Sequence, residues 1–129
     1  ASGDEDQMLQ VFQNILKNAC EAISKDRGKI KICTSYNSGV RYTISGDQSE
    51  ILPLQIEIID NGSGIPDNII NEIFEPFVSS KVNGTGLGLA FVSKIITSHG
   101  GLIECTSHNV GTKFILRLPV SKKFSKDKI

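Results

Sequence analysis

The chain lacks an excess of either charge. Its 14 Lys and Arg balance its 14 Asp and Glu, which argues against the broad basic footprint of a nucleic-acid-binding domain. No apolar run approaches the roughly 20 residues that cross a bilayer, and no signal peptide is visible. These absences predict no nucleic-acid partner, no direct membrane contact and a cytoplasmic location. Cysteine is sparse. Cys20, Cys33 and Cys105 are widely spaced, odd in number and without a CxxC pair. That pattern predicts free, packed thiols in a reducing compartment rather than a disulfide frame or a metal site. Internal repeats are lacking too, as are both common phosphate loops. No Lys-Ser or Lys-Thr closes a Walker pattern, and the glycines at 84, 86 and 88 are spaced GxGxG rather than GxGxxG after a strand.

What is present is an ordinary globular balance. Hydrophobic residues make up 39% and charged residues 22% of 129 residues, enough for one domain with a core. Apolar residues Met8, Phe12, Ile15, Leu16, Ala19 and Ile23 fall on one side of a predicted helix over 4–24. Asp4 and Gln7 form a capping-box pattern at its start. Alternation predicts strands over 29–36, 40–45 and 54–60, the first two as a hairpin, with a polar loop "GDQSE" before the third. Pro66 and Asp67 open a short helix, and "LGLAFVSKIITSHGG" reads as a helix closed by Gly100 and Gly101. "LIECTSH" and "TKFILRLPV" form a final hairpin across "NVG". This order predicts an α+β two-layer sandwich, with helices on one face of a mixed, mainly antiparallel sheet. The domain is expected to occupy 1–120, with 121–129 expected as a flexible lysine-rich tail.

Several residues could carry chemistry. Asn14, Asn18 and Glu21 project within an arc of about 60° on the first helix. They form either a solvated face or one wall of a polar pocket, where amide oxygens suit Mg²⁺. Asp60 ends a strand before "NGSG". It is either an Asx-type turn residue or a carboxylate on a pocket floor, with Gly62 and Gly64 leaving room for a flat ligand. As an acceptor it suits an exocyclic amino group such as that of adenine. Phe74, Pro76 and Phe77 either pack beneath a loop or anchor a mobile lid that carries Lys81. The run "NGTGLGLAFV" is a glycine-lined helix start, suited to a turn or to a phosphate.

In their order, "QNILKNACEAI", "DNGSGIP", "IFEPFVSSK" and "GTGLGLAFV" resemble the N-box, first glycine box, F-box and second glycine box of sensor histidine kinases. These belong to the superfamily of DNA gyrase, heat-shock chaperone and mismatch-repair ATPases. "QVFQNILKNACEAI" and "PFVSSKVNGTGLGLAFV" look most like the nitrogen-regulatory sensor kinases. The resemblance covers roughly residues 4–120. It implies a Bergerat-type fold binding ATP with Mg²⁺, and transfer of the γ-phosphoryl group to a histidine on a partner helical phosphoacceptor domain, with a response regulator downstream.

Position by position, Asn18 matches the Mg²⁺-binding residue and Asn14 the preceding N-box position. Asp60 matches the adenine-reading carboxylate, with Gly62, Gly64 and Ile65 beside it. Phe74 and Phe77 match the F-box, and Lys81 is a phosphate-contacting candidate in the lid. Gly84, Thr85, Gly86, Leu87 and Gly88 match the second glycine box. Thr112 matches a polar residue that helps hold adenine. Many sensor kinases carry a basic residue where this chain has Glu21, so Lys17 and Lys81 are the candidate phosphate-contacting cations. The alternatives are a hydrolytic ATPase of the superfamily, a serine kinase of the same fold, and an ATP-binding regulatory module without transfer.

Overall fold

The structure, a computed structural model, describes residues 5–39, 41–46, 48–76, 88–108 and 111–120. Helix α1 spans Glu5–Ala22. Strands β1 (Ile30–Tyr36), β2 (Arg41–Ser45), β3 (Gln48–Ile51) and β4 (Leu54–Asp60) follow. Helix α2 (Gly88–Ser98) and strands β5 (Leu102–His108) and β6 (Gly111–Leu118) complete the order. Pro66 and Asp67 open no α-helix; a single 3-10 turn at Ile70–Glu72 stands there instead. Asp4 of the expected capping box lies outside the described residues.

The main sheet has the strand order β1-β4-β6-β5, and every pairing in it is antiparallel. Residues directly opposite one another in a ladder share a face. The register of Leu54 with Leu118, Ile56 with Leu116, Ile58 with Phe114 and Asp60 with Thr112 therefore sets one continuous face. That face is apolar until its last rung, where Asp60 and Thr112 replace the hydrophobic pair. Both helices pack on it: Val11, Ile15, Val92, Ile96, Ile58 and Leu116 are almost completely buried in one cluster. Burying each such side chain contributes about 1.5–3 kcal/mol. The helical period places Val11 at the centre of α1's buried stripe with Ile15 and Ala19, although the expected stripe leaves it out.

The expected hairpin between 29–36 and 40–45 does not form. β1 pairs with β4, and β2 pairs with β3 in a separate two-stranded sheet. The "GDQSE" segment, expected as a loop, supplies β3. Short polar strands leave no apolar alternation to read, since their anchoring comes from elsewhere. The anchor here is Arg117 on the far face of the main sheet. It donates to the Tyr42 hydroxyl at 2.9 Å and to Gln55 Oε1, and pairs with Glu104 at 3.2 Å. Its guanidinium carbon lies 4.6 Å from the centre of the Tyr42 ring, an arrangement that adds cation–π attraction.

The thiols differ from expectation in one respect. All of Cys20, Cys33 and Cys105 are free, but Cys20 is exposed on α1 while Cys33 and Cys105 are half-buried. The helical period carries Cys20 past the edge of the buried stripe.

Candidate functional site

The site grows from the end of β4. Asp60 is buried at 6% exposure and Thr112, opposite it, at 5%. A buried carboxylate needs compensation. One oxygen of Asp60 accepts the Gly62 N–H at 2.8 Å. The other accepts no hydrogen bond from the described residues. The arrangement therefore leaves acceptor capacity at the end of the buried face, suited to an amino group.

The turn after Asp60 is held on two sides. Its Ser63 N–H donates to the carbonyl of Ala22 at the end of α1, at 3.2 Å. Its Ile65 N–H donates to Ser107 Oγ on β5, at 2.6 Å. The two glycines of the turn serve different needs. Gly64 sits at φ +79, where a Cβ is strained. Gly62 has no room for one, because its Cβ would collide with the Ala22 carbonyl. The expectation that Gly62 clears space for a flat ligand is therefore corrected: that space is taken by the end of α1. Asn61, between Asp60 and Gly62, points elsewhere. Its side chain accepts from the Lys29 N–H at 2.7 Å and donates to the Arg27 carbonyl at 2.8 Å, so it clamps the loop that follows α1.

The opposite wall comes from α1 and the start of α2. Asn14 Nδ2 donates to the Gln10 carbonyl at 2.9 Å. Its Oδ1 lies 3.0 Å from where a Cβ on Gly88 would stand, so α2 begins against this amide. The first turn of α2 carries no acidic residue, and its N–H groups favour an anion. Asn18, one turn further along the same face, is half-buried, whereas Lys17 and Glu21 are exposed. Phe74 packs rather than projects: its ring meets Phe114 edge-on, with centroids 6.3 Å apart.

Of the expected site residues, the structure brings Asp60, Gly62, Gly64, Ile65 and Thr112 together at the strand ends, and Asn14 and Gly88 together between the helices. Phe77, Lys81, Gly84, Thr85, Gly86 and Leu87 lie outside the described residues. Two members of the site escape the sequence reading. Ser107 joins Ile65 to β6, and Gly111 backs onto Asp60. The signal for Ser107 is hairpin register. Treating "NVG" as the loop sets His108 against Thr112, whereas His108 pairs with Gly111, and this moves Ser107 opposite Thr112. Cys105 lies two residues from Ser107 on the same strand face. Burial first, and the Asp60 carboxylate second, push its thiol from 9.0 up to about 12.

An antiparallel sheet covered by two helices, with a buried acceptor at its strand ends and no acidic residue in the first turn of α2, suits a nucleotide-binding domain. The family described as histidine kinase-, DNA gyrase B-, and HSP90-like ATPase matches residues 3–122, and the chain belongs to it. Its relatives include the sensory histidine kinase/phosphatase NtrB of Rhodobacter capsulatus, 51% identical over 121 residues, with 94% of this chain and 34% of that one covered. The chain spans about a third of the length of the curated relatives it matches. Among solved structures, a nucleotide-free catalytic domain of the histidine kinase ThkA superposes with a TM-score of 0.70 at 32% identity, covering 91% of this chain and 68% of that one. Full-length ShkA in complex with AMPPNP superposes with a TM-score of 0.69 at 26% identity, covering 90% of this chain and 22% of that one.

Proposed function

We propose that this domain is the catalytic and ATP-binding part of a two-component sensor histidine kinase. The observation that carries the reading is the Asp60–Thr112 rung, a polar pair closing an otherwise apolar sheet face, in a chain so similar to NtrB sensor kinases. The acceptor set suits adenine. The uncharged, acid-free start of α2 suits the phosphates, as does the segment before it that carries Lys81, Gly84, Thr85, Gly86 and Leu87. The amide oxygen of Asn18 suits Mg²⁺, which is held by few protein oxygens together with phosphate oxygens. A bound ion of this kind neutralises charge between the phosphoryl groups.

The residues of this chain then bind and orient. Asp60 and Thr112 fix the base, α2 fixes the phosphate end, and the γ-phosphoryl group is presented outward to a second domain. There a ring nitrogen of a histidine forms the new N–P bond as the bond from the γ-phosphorus to the bridging oxygen breaks, and ADP leaves. The acceptor is a helical domain of the same kinase, and the phosphoryl group passes onward to a response regulator.

The test mixes residues 1–129, labelled ATP and Mg²⁺ with the helical domain of the same kinase. An acid-labile, base-stable label on that domain is expected. Label that never leaves ATP in the presence of the folded helical domain excludes the kinase reading.

A further inference from the structure

Ser107 is absent from the set of residues that the family resemblance assigns, yet it is the most connected side chain at the strand ends. Its hydroxyl accepts the Ile65 N–H at 2.6 Å. It donates to the Gly111 carbonyl at 3.2 Å, and it lies 3.4 Å from Thr112 Oγ1. A hydroxyl has one proton and two lone pairs. A carbonyl can only accept, so the Ser107 proton is committed to Gly111. Either hydroxyl can donate in the remaining contact; with the Ser107 proton assigned to its nearer acceptor, Gly111, that contact uses the Thr112 proton, directed at the second lone pair of Ser107. All three bonding positions of Ser107 are filled, and Thr112 is left as an acceptor on its free side.

We propose that Ser107 is a positioning residue that makes the base end of the nucleotide site accept hydrogen bonds only. It acts by drawing in the Thr112 proton and by fixing the glycine turn through Ile65. The proposal rests on the ATP-binding reading above. With Thr112 turned this way beside Asp60, the pocket end offers acceptors to an amino group and meets a ring carbonyl with repulsion. Without Ser107 the Thr112 hydroxyl rotates freely and can donate, so a carbonyl becomes tolerable.

The test compares ATP with ITP, which carries a carbonyl where ATP carries the amino group. Affinities are measured by calorimetric competition on residues 1–129. Ser107→Ala is expected to weaken ATP about 5- to 10-fold, the loss of one net hydrogen bond. ITP is expected to change by less than about 2-fold on the same scale. The ATP-to-ITP preference therefore shrinks, and Ser107→Thr, which keeps the hydroxyl, restores it. Hydrogen exchange gives a readout without nucleotide: the Ile65 amide should lose protection in Ser107→Ala and keep it in Ser107→Thr. If Ser107→Ala does not fold, Ser107→Cys, with a weak acceptor of similar size, is expected to shrink the preference in the same way. Equal losses for ATP and ITP would show a merely structural role and overturn the proposal. So would an Ile65 amide protected alike in the wild type and Ser107→Ala. A wild-type chain that binds neither nucleotide overturns the ATP-binding reading itself and this inference with it.

Discussion

Gly111 and Asp60 are in backbone contact: a Cβ added to Gly111 would fall on the carbonyl oxygen of Asp60. Gly111 also sits at φ +147, outside the range that side-chain-bearing residues adopt comfortably. The glycine thus lets β6 start close enough to β4 for Thr112 to lie opposite the carboxylate. Gly111→Ala is expected to cost about 2–5 kcal/mol, from backbone strain and overpacking together. Urea unfolding measures it. A loss below about 1 kcal/mol would mean that this approach carries little of the fold's stability.

Asp60→Asn keeps the size of the side chain and exchanges a charged acceptor for an amide. A hydrogen bond to a charged group contributes about 1.5–3 kcal/mol, so ATP affinity should fall roughly 10- to 150-fold. GTP should bind poorly to the wild type, since its carbonyl would face the carboxylate. Calorimetric titration with both nucleotides decides the matter. Equal affinities for ATP and GTP would remove Asp60 from base recognition.

Much of this site can be read in the sequence, and the reason is local. Asp60 ends a strand whose alternate residues Leu54, Ile56 and Ile58 are apolar, and it precedes two glycines, so its placement needs only the strand and the turn. Asn14 and Gly88 are legible in the same way, one through helical period and one through a helix start. What stays hidden depends on contacts distant in sequence. Ser107 reaches Ile65 across 42 positions, and only the hairpin register, displaced by one residue from the naive loop, brings it opposite Thr112. The pairing of β1 with β4 is hidden for a related reason. Tyr42 and Gln48 look like loop or return-strand residues until Arg117, 75 positions from Tyr42, holds the small hairpin against the sheet.

The Cys105 thiol gives a pH dependence of definite sign. In the unfolded chain it ionises near its ordinary value of 9.0, and in the fold only near about 12. Below the lower value both states keep the proton and the group contributes nothing to the slope. As pH rises past it, the unfolded state gives up its proton first, so stability falls through this window. Cys105→Ala should be less stable at neutral pH through lost packing, yet flatter between pH 8.5 and about 10.5. Urea midpoints across that range measure the slope. At pH 8, iodoacetamide should modify exposed Cys20 and spare Cys105, because only the thiolate reacts. Equal rates at the two thiols would contradict the raised value.

Asn14 separates phosphoryl transfer from hydrolysis. In the hydrolytic members of the superfamily that the sequence resembles, a Glu four residues before the metal-binding Asn serves as general base on water. Four residues apart on a helix is one face, so position 14 and Asn18 share one face of α1. Here that position holds a neutral amide, with Nδ2 tied to the Gln10 carbonyl and Oδ1 turned toward Gly88. An amide has no useful basicity, and general-base assistance is typically worth 10²–10⁴-fold. Nor is His99 a ready acceptor: it follows α2 in "SHGG", without the helical His-acidic context that the resemblance implies for an acceptor histidine. Residues 1–129 alone are therefore expected to bind ATP, hydrolyse it very slowly and carry no stable phosphohistidine. Asn14→Glu is expected to speed hydrolysis by 10-fold or more, on the order of the lower part of that general-base range. Steady-state phosphate release measures both proteins. Rapid multiple-turnover hydrolysis by the wild-type chain would favour an ATPase over a kinase, and an Asn14→Glu protein that binds ATP but hydrolyses no faster would show that position 14 does not face the γ-phosphate.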